Sequence, residues 1–318
     1  MRSCNMRLLP QAAERPYNSP TMIVSASYRT DIPAYYGDWL MNRLAAGYAL
    51  VANPYGGPDY RVSLRRPEAD ALQLWTRNIG PLLPRLGEVQ AALPFAVTFT
   101  LTGYPRALEK ATLPAERAVA QLRDLANRFG PRVAVWRYDP VVISDLTPPD
   151  WHRAQVARIA RELRGVVDEA TFSFLQPYAK SARHLDAASR QHGFAWRDPP
   201  DDEKKALLAE LATITRQEGM TPTLCAQPHL LSPAIEAARC IDVRRLSDVA
   251  GAEIAAKEKG NRPGCACALS RDIGAYDTCA QGCAYCYAVR GPDLAQRNLA
   301  AHDPLAERLV AAAVRKSA

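Results

Sequence analysis

The sequence has no apolar run approaching the roughly 18 residues that a membrane-spanning helix needs, which argues against a membrane partner. Arg2, Arg7 and Arg15 lie near its start, but no continuous apolar core and no small-residue cleavage pattern follows them. A secretory signal is therefore not expected. No internal repeat or low-complexity tract is present, so the chain does not read as a repeat array or a biased tail. Charge of one sign is also scarce. The 40 Lys and Arg residues exceed the 33 Asp and Glu by only +7, which tolerates a polyanionic partner without demanding one.

What is there is ordinary globular composition: 318 residues, 48% of them hydrophobic and 23% charged. At roughly 150 residues per domain the length suggests two domains, but a single α/β barrel of this size is equally allowed. The distinctive feature is where the cysteines fall. Of 8, only Cys4 lies early; Cys225, Cys240, Cys265, Cys267, Cys279, Cys283 and Cys286 all lie in the last third. Without an export signal, clustered thiols read as metal ligands rather than disulfides, and the chain as a cytoplasmic metalloprotein.

Residues 1–21 mix Pro, Asn and Ser without periodicity and read as a flexible extension. From residue 22, short β-rich runs at 23–28, 49–52, 95–102, 133–138, 171–176 and 221–226 alternate with helical patterns at 115–129, 150–164 and 201–218. This is the signature of βα units around a parallel sheet. The strands have one polar face. Ser25, Ser27, Arg29 and Asp31 oppose Val24, Ala26 and Tyr28; Thr98, Thr100 and Thr102 oppose Val97, Phe99 and Leu101; Arg137 and Asp139 oppose Trp136 and Tyr138; Thr171 and Ser173 oppose Phe172 and Phe174. A strand buried between two helix layers would be apolar on both faces. The pattern therefore predicts one βα-barrel domain over 22–318, TIM-like, with a polar lumen, its cysteine-rich C-terminal segment lying at about 225–288.

Cys279, Cys283 and Cys286 form a C-x3-C-x2-C loop. Three thiolates on one compact loop suit three corners of a [4Fe–4S] cluster, with the fourth iron left open. The alternative is zinc, although the paired C-x2-C units usual for structural zinc are missing. Cys225, Cys240, Cys265 and Cys267 could complete a second [4Fe–4S] cluster or a zinc site. Otherwise Cys225 and Cys240 are small buried hydrophobes. His229 follows Cys225 and Gln227 and is a candidate acid–base or metal residue, whereas His152, His184 and His192 fall on helices and read as packing or surface residues. Trp75, Trp151 and Trp196 read as packing anchors. The string from Asn53 to Pro58 is either an anion-binding loop or only a turn.

The cysteine loop, with Tyr285 just before its last thiol, resembles the cluster loop of radical S-adenosylmethionine enzymes. The resemblance implies that Cys279, Cys283 and Cys286 hold a [4Fe–4S] cluster whose open iron is chelated by S-adenosylmethionine, with Tyr285 near the adenine. It also implies a 5′-deoxyadenosyl radical and a reductant protein such as a ferredoxin or flavodoxin. Arg29, Asp31 and Thr100 on the inward face are then candidates for binding the cofactor, and Arg137, Asp139 and His229 are the candidate catalytic residues. In that superfamily the loop follows the first barrel strand; here it lies near the C-terminus, as a circular permutation would place it, with residues 269–274 as the strand feeding it and 292–314 as a helix after it. Across residues 22–288 the chain resembles a bacterial family catalogued as domain of unknown function 1848, through its segments 25–33, 98–104, 136–140 and 265–287. Two further readings stay open: a zinc-stabilised nucleic-acid-binding module and an iron–sulfur electron carrier. The substrate, small-molecule or macromolecular, is not named by the sequence.

Overall fold

The computed structural model describes residues 22–53 and 57–310. Cys4, the extension 1–21 and the middle of the 53–58 string lie outside them, whereas the helix expected over 292–314 ends within them, at Ala300. Eight strands form one all-parallel sheet: β1 (Ile23–Ala26), β4 (Ala71–Thr76), β5 (Phe95–Thr100), β6 (Ala134–Val141), β8 (Glu169–Phe174), β10 (Thr221–Leu224), β11 (Glu236–Ala237) and β12 (Ser270–Asp272). Two small antiparallel pairs, β2 (Tyr48–Val51) with β3 (Tyr60–Ser63) and β7 (Ile143–Ser144) with β9 (Trp196–Arg197), stand outside it. The order across the main sheet is β11-β10-β8-β6-β5-β4-β1-β12. Successive strands are thus neighbours throughout, except that the last strand pairs with the first.

Several expectations are corrected here. The run at 49–52 is a strand of the β2–β3 hairpin, not of the parallel sheet. The run at 23–28 stops at Ala26, because Ser27 turns to hydrogen-bond a carboxylate and Asp31 caps the short helix α1 (Ile32–Tyr35). Strand β4 was not foreseen; Ala71, a weak strand former, blurs its alternation. Pro140, which has no N–H to give the ladder, interrupts β6 without ending it: the strand pairs again at Val141 after a register shift.

Helices α2 (Gly37–Ala46), α3 (Leu86–Ala92), α4 (Ala115–Phe129), α5 (Pro149–Glu162), α6 (Ala179–His192) and α7 (Asp201–Gln217) lie in the connections between the strands. Two follow β11: α8 (Val243–Ala250), before β12, and α9 (Pro292–Ala300), after it. The amphipathic α4 turns Val119, Leu122 and Leu125 inward and ends where Gly130 adopts a positive φ of 84°. One large apolar cluster fills the space between sheet and helices, taking Val24, Leu72, Val97, Trp136 and Phe172 from one sheet face. A second cluster occupies the other face, where Ile23, Ala71 and Ala96 meet Ile241, Leu246 and Ile254 from the chain after β11. The inward face is therefore plugged at the strand N-termini. Arg245 of α8 ties the plug down with ion pairs of 2.8 Å to Asp168 and to Glu169. Only the C-terminal half of this face opens into a cavity.

Candidate functional site

The cavity has a volume of about 410 Å³ and lies at the C-terminal ends of the strands, where α/β folds collect their binding residues. The polar face read from the sequence supplies its floor. Ser25 and Ser27 donate to the two oxygens of Asp272 on the neighbouring β12, each at 2.7 Å, and Arg29 approaches the same carboxylate at 3.8 Å. Burial pushes the Asp272 carboxyl up from its ordinary value. Gly274 lies two residues on, and a Cβ there would sit 2.0 Å from Ser27 Oγ, so only glycine lets the two turns approach.

On the opposite wall Arg137 and Asp139, two apart on β6, form an ion pair at 2.8 Å. The Arg137 guanidinium also lies 5.4 Å over the Trp75 ring and donates to Cys225 Sγ at 3.6 Å, while its Nε has no partner. The hydroxyl of Thr30 beside the cavity is likewise buried without a partner, and Arg29 Nε makes no hydrogen bond, facing Asp272 only at the 3.8 Å of the ion pair. Buried donors of this kind favour an incoming acceptor. Thr100 at the end of β5 lines the same cavity.

The cysteine loop is held by contacts distant in sequence. Its backbone pairs with residues 108–111: Ala284 N donates to Leu108 O at 2.9 Å and Ala111 N to Gln281 O at 3.0 Å. Gly282 takes a φ of +69° there, against the Lys110 side chain. Asp31 is the hub. Besides capping α1 it accepts from Thr76 Oγ1 (2.6 Å), Arg77 N (2.8 Å) and Gln281 Nε2 (2.9 Å). With every oxygen engaged, Asp31 acts as a positioning residue for the loop rather than a free ligand. Tyr285 is similarly committed. Its hydroxyl accepts from Arg77 Nη2 at 2.8 Å and contacts Glu109, which in turn pairs with Arg77 at 2.7 Å. Arg77, Glu109, Gln281 and Asp272 carried no signal in the sequence reading; the first follows the unforeseen β4, and their roles come from pairings 30 to 250 positions apart.

All seven cysteines expected to bind metal line this one cavity. Cys279, Cys283 and Cys286 form one group without thiol–thiol hydrogen bonds; burial pushes Cys283 up to about 12 and raises the other two. Neutral as thiols, they would release protons on taking up a metal. Cys225, Cys240, Cys265 and Cys267 form the other group, in which Cys240 Sγ lies 3.5 Å from Cys225 Sγ. A hydrogen bond with Cys267 draws Cys265 down to about 6. Among the described residues no three Cys, His, Asp or Glu side chains stand close enough to hold a metal ion without adjusting.

His229 is a correction. It lies on a short 3-10 turn outside the cavity, its side chain 53% exposed, with Asp201 at 4.0 Å as its acidic neighbour. A turn after β10 carries it outward while Cys225 and Gln227 stay inside. His152 packs as expected: it is fully buried, accepts from Tyr138 at Nδ1 (2.8 Å) and faces Val142 O with Nε2 (3.0 Å). Trp75 is not only a packing anchor, since it lines the cavity and donates to Ser25 Oγ at 3.0 Å. No helix among the described residues is long and apolar enough to cross a membrane.

A comparison with curated proteins finds no match. A family model matches the chain from the first strand of the sheet to the end of the cysteine loop, so that every thiol in the cavity falls inside the match. By this match over residues 23–288, the chain belongs to the family described as domain of unknown function (DUF1848).

Proposed function

We propose that this chain is an iron–sulfur enzyme of radical S-adenosylmethionine type, working in a reducing compartment on a sheet curled into a circularly permuted βα barrel. The observation that carries the reading is the placement of Cys279, Cys283 and Cys286. These three thiols, on one loop, face a cavity whose other walls hold Arg29, Arg137 and Asp139. The sheet order supports it too. With β12 beside β1, the loop after β12 takes the place that a loop after the first strand would have in an unpermuted barrel.

A [4Fe–4S] cluster on the three thiolates, chelated by S-adenosylmethionine and reduced by a ferredoxin or flavodoxin, would supply a 5′-deoxyadenosyl radical. The chain's own residues then have distinct tasks. Asp31 and Gln281 fix the loop, and the Arg77–Glu109–Tyr285 network holds its far side. Arg137 offers an unpartnered Nε–H to a carboxylate, and Arg29 a guanidinium whose Nε meets Asp272 only at 3.8 Å; both are the kind of planar donor that such a group prefers. Trp75, Tyr28 and Tyr276 give the cavity an aromatic rim on which a flat ring can stack.

Anaerobic reconstitution followed by incubation with a strong reductant and S-adenosylmethionine tests this. The expected result is brown protein that forms 5′-deoxyadenosine, a product absent in Cys279→Ala, Cys283→Ala and Cys286→Ala. Cluster-loaded protein that does not bind S-adenosylmethionine in calorimetry would favour the electron-carrier reading. Protein that takes up no iron at the loop and binds nucleic acid would favour the nucleic-acid-binding module.

A further inference from the structure

The proposed reaction uses three of the seven cavity cysteines. The other four come from three separate stretches of chain: Cys225 just after β10, Cys240 just after β11, and Cys265 and Cys267 just before β12. Strands β11 and β12 are the two outer strands of the sheet, and no ladder joins them among the described residues. Among the described residues one backbone hydrogen bond, Ala268 N to Ile241 O at 3.0 Å, spans the seam between their flanking segments. Cys225 and Cys240 stand on one bank of that seam, Cys265 and Cys267 on the other.

The spacing of the thiols discriminates between kinds of metal site. A tetrahedral ion with bonds of about 2.3 Å to sulfur holds its thiolates about 3.8 Å apart along each edge. Cys225 and Cys240 stand 3.5 Å apart, close to that edge, and Cys265 and Cys267 line the same cavity from the facing bank. A cubane puts each thiolate on a different iron and needs its own volume between them; the touching Cys225 and Cys240 thiols leave none between the two. Among the described residues no three of these side chains stand close enough to hold an ion as they are, so side-chain rotation has to bring Cys265 and Cys267 onto the Cys225–Cys240 pair. Arg137 and Arg262 each donate to Cys225 Sγ at 3.6 Å, which places two cations beside a sulfur that carries charge once bonded to an ion.

We propose that Cys225, Cys240, Cys265 and Cys267 bind one tetrahedral zinc ion that clips the sheet across the seam between β11 and β12. Each thiol loses its proton as its sulfur bonds the ion, no electron is transferred, and the filled shell leaves no position for substrate. The role is structural: the metal joins the two banks that backbone hydrogen bonds leave almost unconnected. It is independent of what the cysteine loop binds.

The test uses the full chain carrying Cys279→Ala, Cys283→Ala and Cys286→Ala together, purified without oxygen from medium supplied with both metals. One zinc per chain without visible cluster absorption is expected, with a melting temperature that falls on the order of 5 °C or more when a strong chelator removes the ion. Replacement by cobalt should give the intense visible bands of a tetrahedral tetrathiolate. In the otherwise unsubstituted chain, zinc should accompany the loop's iron, and Cys267→Ser should lower zinc affinity at least about tenfold while the iron stays. Zinc-free protein, or iron with cluster absorption persisting in the triple variant, would overturn the proposal; the latter would identify a second cluster instead. Should the triple variant not fold, zinc content and cobalt spectra of the unsubstituted chain decide the same question.

Discussion

The two cysteine groups sit in one cavity but are built in opposite ways. The first lies within eight consecutive residues, 279 to 286, and its spacing is a property of the loop itself. The second is drawn from positions 225, 240, 265 and 267 and exists only because the sheet brings three connections to one seam. Among the described residues no thiol–thiol hydrogen bond joins the loop cysteines, whereas Cys225 and Cys240 of the seam group touch at 3.5 Å. Local sequence can specify a ligand set that must present an open face; a closed shell tying distant segments together has to be assembled by the fold.

Variants at each group should separate them most sharply. Cys283→Ala is expected to abolish iron binding at the loop and leave seam zinc intact, read by metal analysis of the same sample. Loss of both metals from that single change would mean that the groups form one site, and the comparison would collapse. Arg137, which touches both the cavity and Cys225, comes next. Arg137→Ala leaves the Asp139 carboxylate without its cation in a mostly buried setting and should cost roughly 3–5 kcal/mol in denaturant unfolding. Arg137→Lys should keep most of that stability but weaken binding of S-adenosylmethionine, because an ammonium cannot make a two-pronged contact. A lysine variant that binds normally would remove Arg137 from the cofactor site.

Acid unfolding needs a baseline that belongs to neither group, and His152 behind β6 supplies it. Burial lowers its pKa from 6.5 to about 4, so the folded state holds it neutral while the unfolded chain protonates near 6.5. The unfolded state therefore binds the extra proton between these values, and stability falls as pH drops from about 6.5 to 4, by about 3 kcal/mol in all. His152→Gln should flatten that limb of the stability profile; an unchanged limb would assign the acid sensitivity elsewhere. The smallest effect is expected from Tyr285→Phe. It removes one hydroxyl from the Arg77–Glu109 network but leaves the 2.7 Å ion pair, at a cost of roughly 1–2 kcal/mol, and iron content should not change. A large drop in iron would make Tyr285 part of the loop's metal-holding frame.

Much of the fold was legible. The pattern of α4 placed it at its observed bounds, and the inward polar alternation of β1, β5, β6 and β8 follows from a period of two that no tertiary contact can alter. What misled the reading was local ambiguity. The β2 run has the composition of a sheet strand but pairs with a hairpin partner, and β4 and β11 are too short or too weakly β-forming to be recognised alone. His229 looked like a site residue because it follows a strand, yet one turn decides whether a side chain in that position faces in or out.

By itself the sequence determined the C-x3-C-x2-C spacing, the concentration of thiols in the last third and the face of each strand that is polar, because these depend on neighbours a few residues away. Only the tertiary structure decided that Asp31 would hold Gln281, that Arg77 and Glu109 would hold Tyr285, and that four scattered cysteines would meet at a seam. Those contacts join positions up to 250 apart, and the order of strands in the sheet, not the residues flanking each one, sets the distance between them.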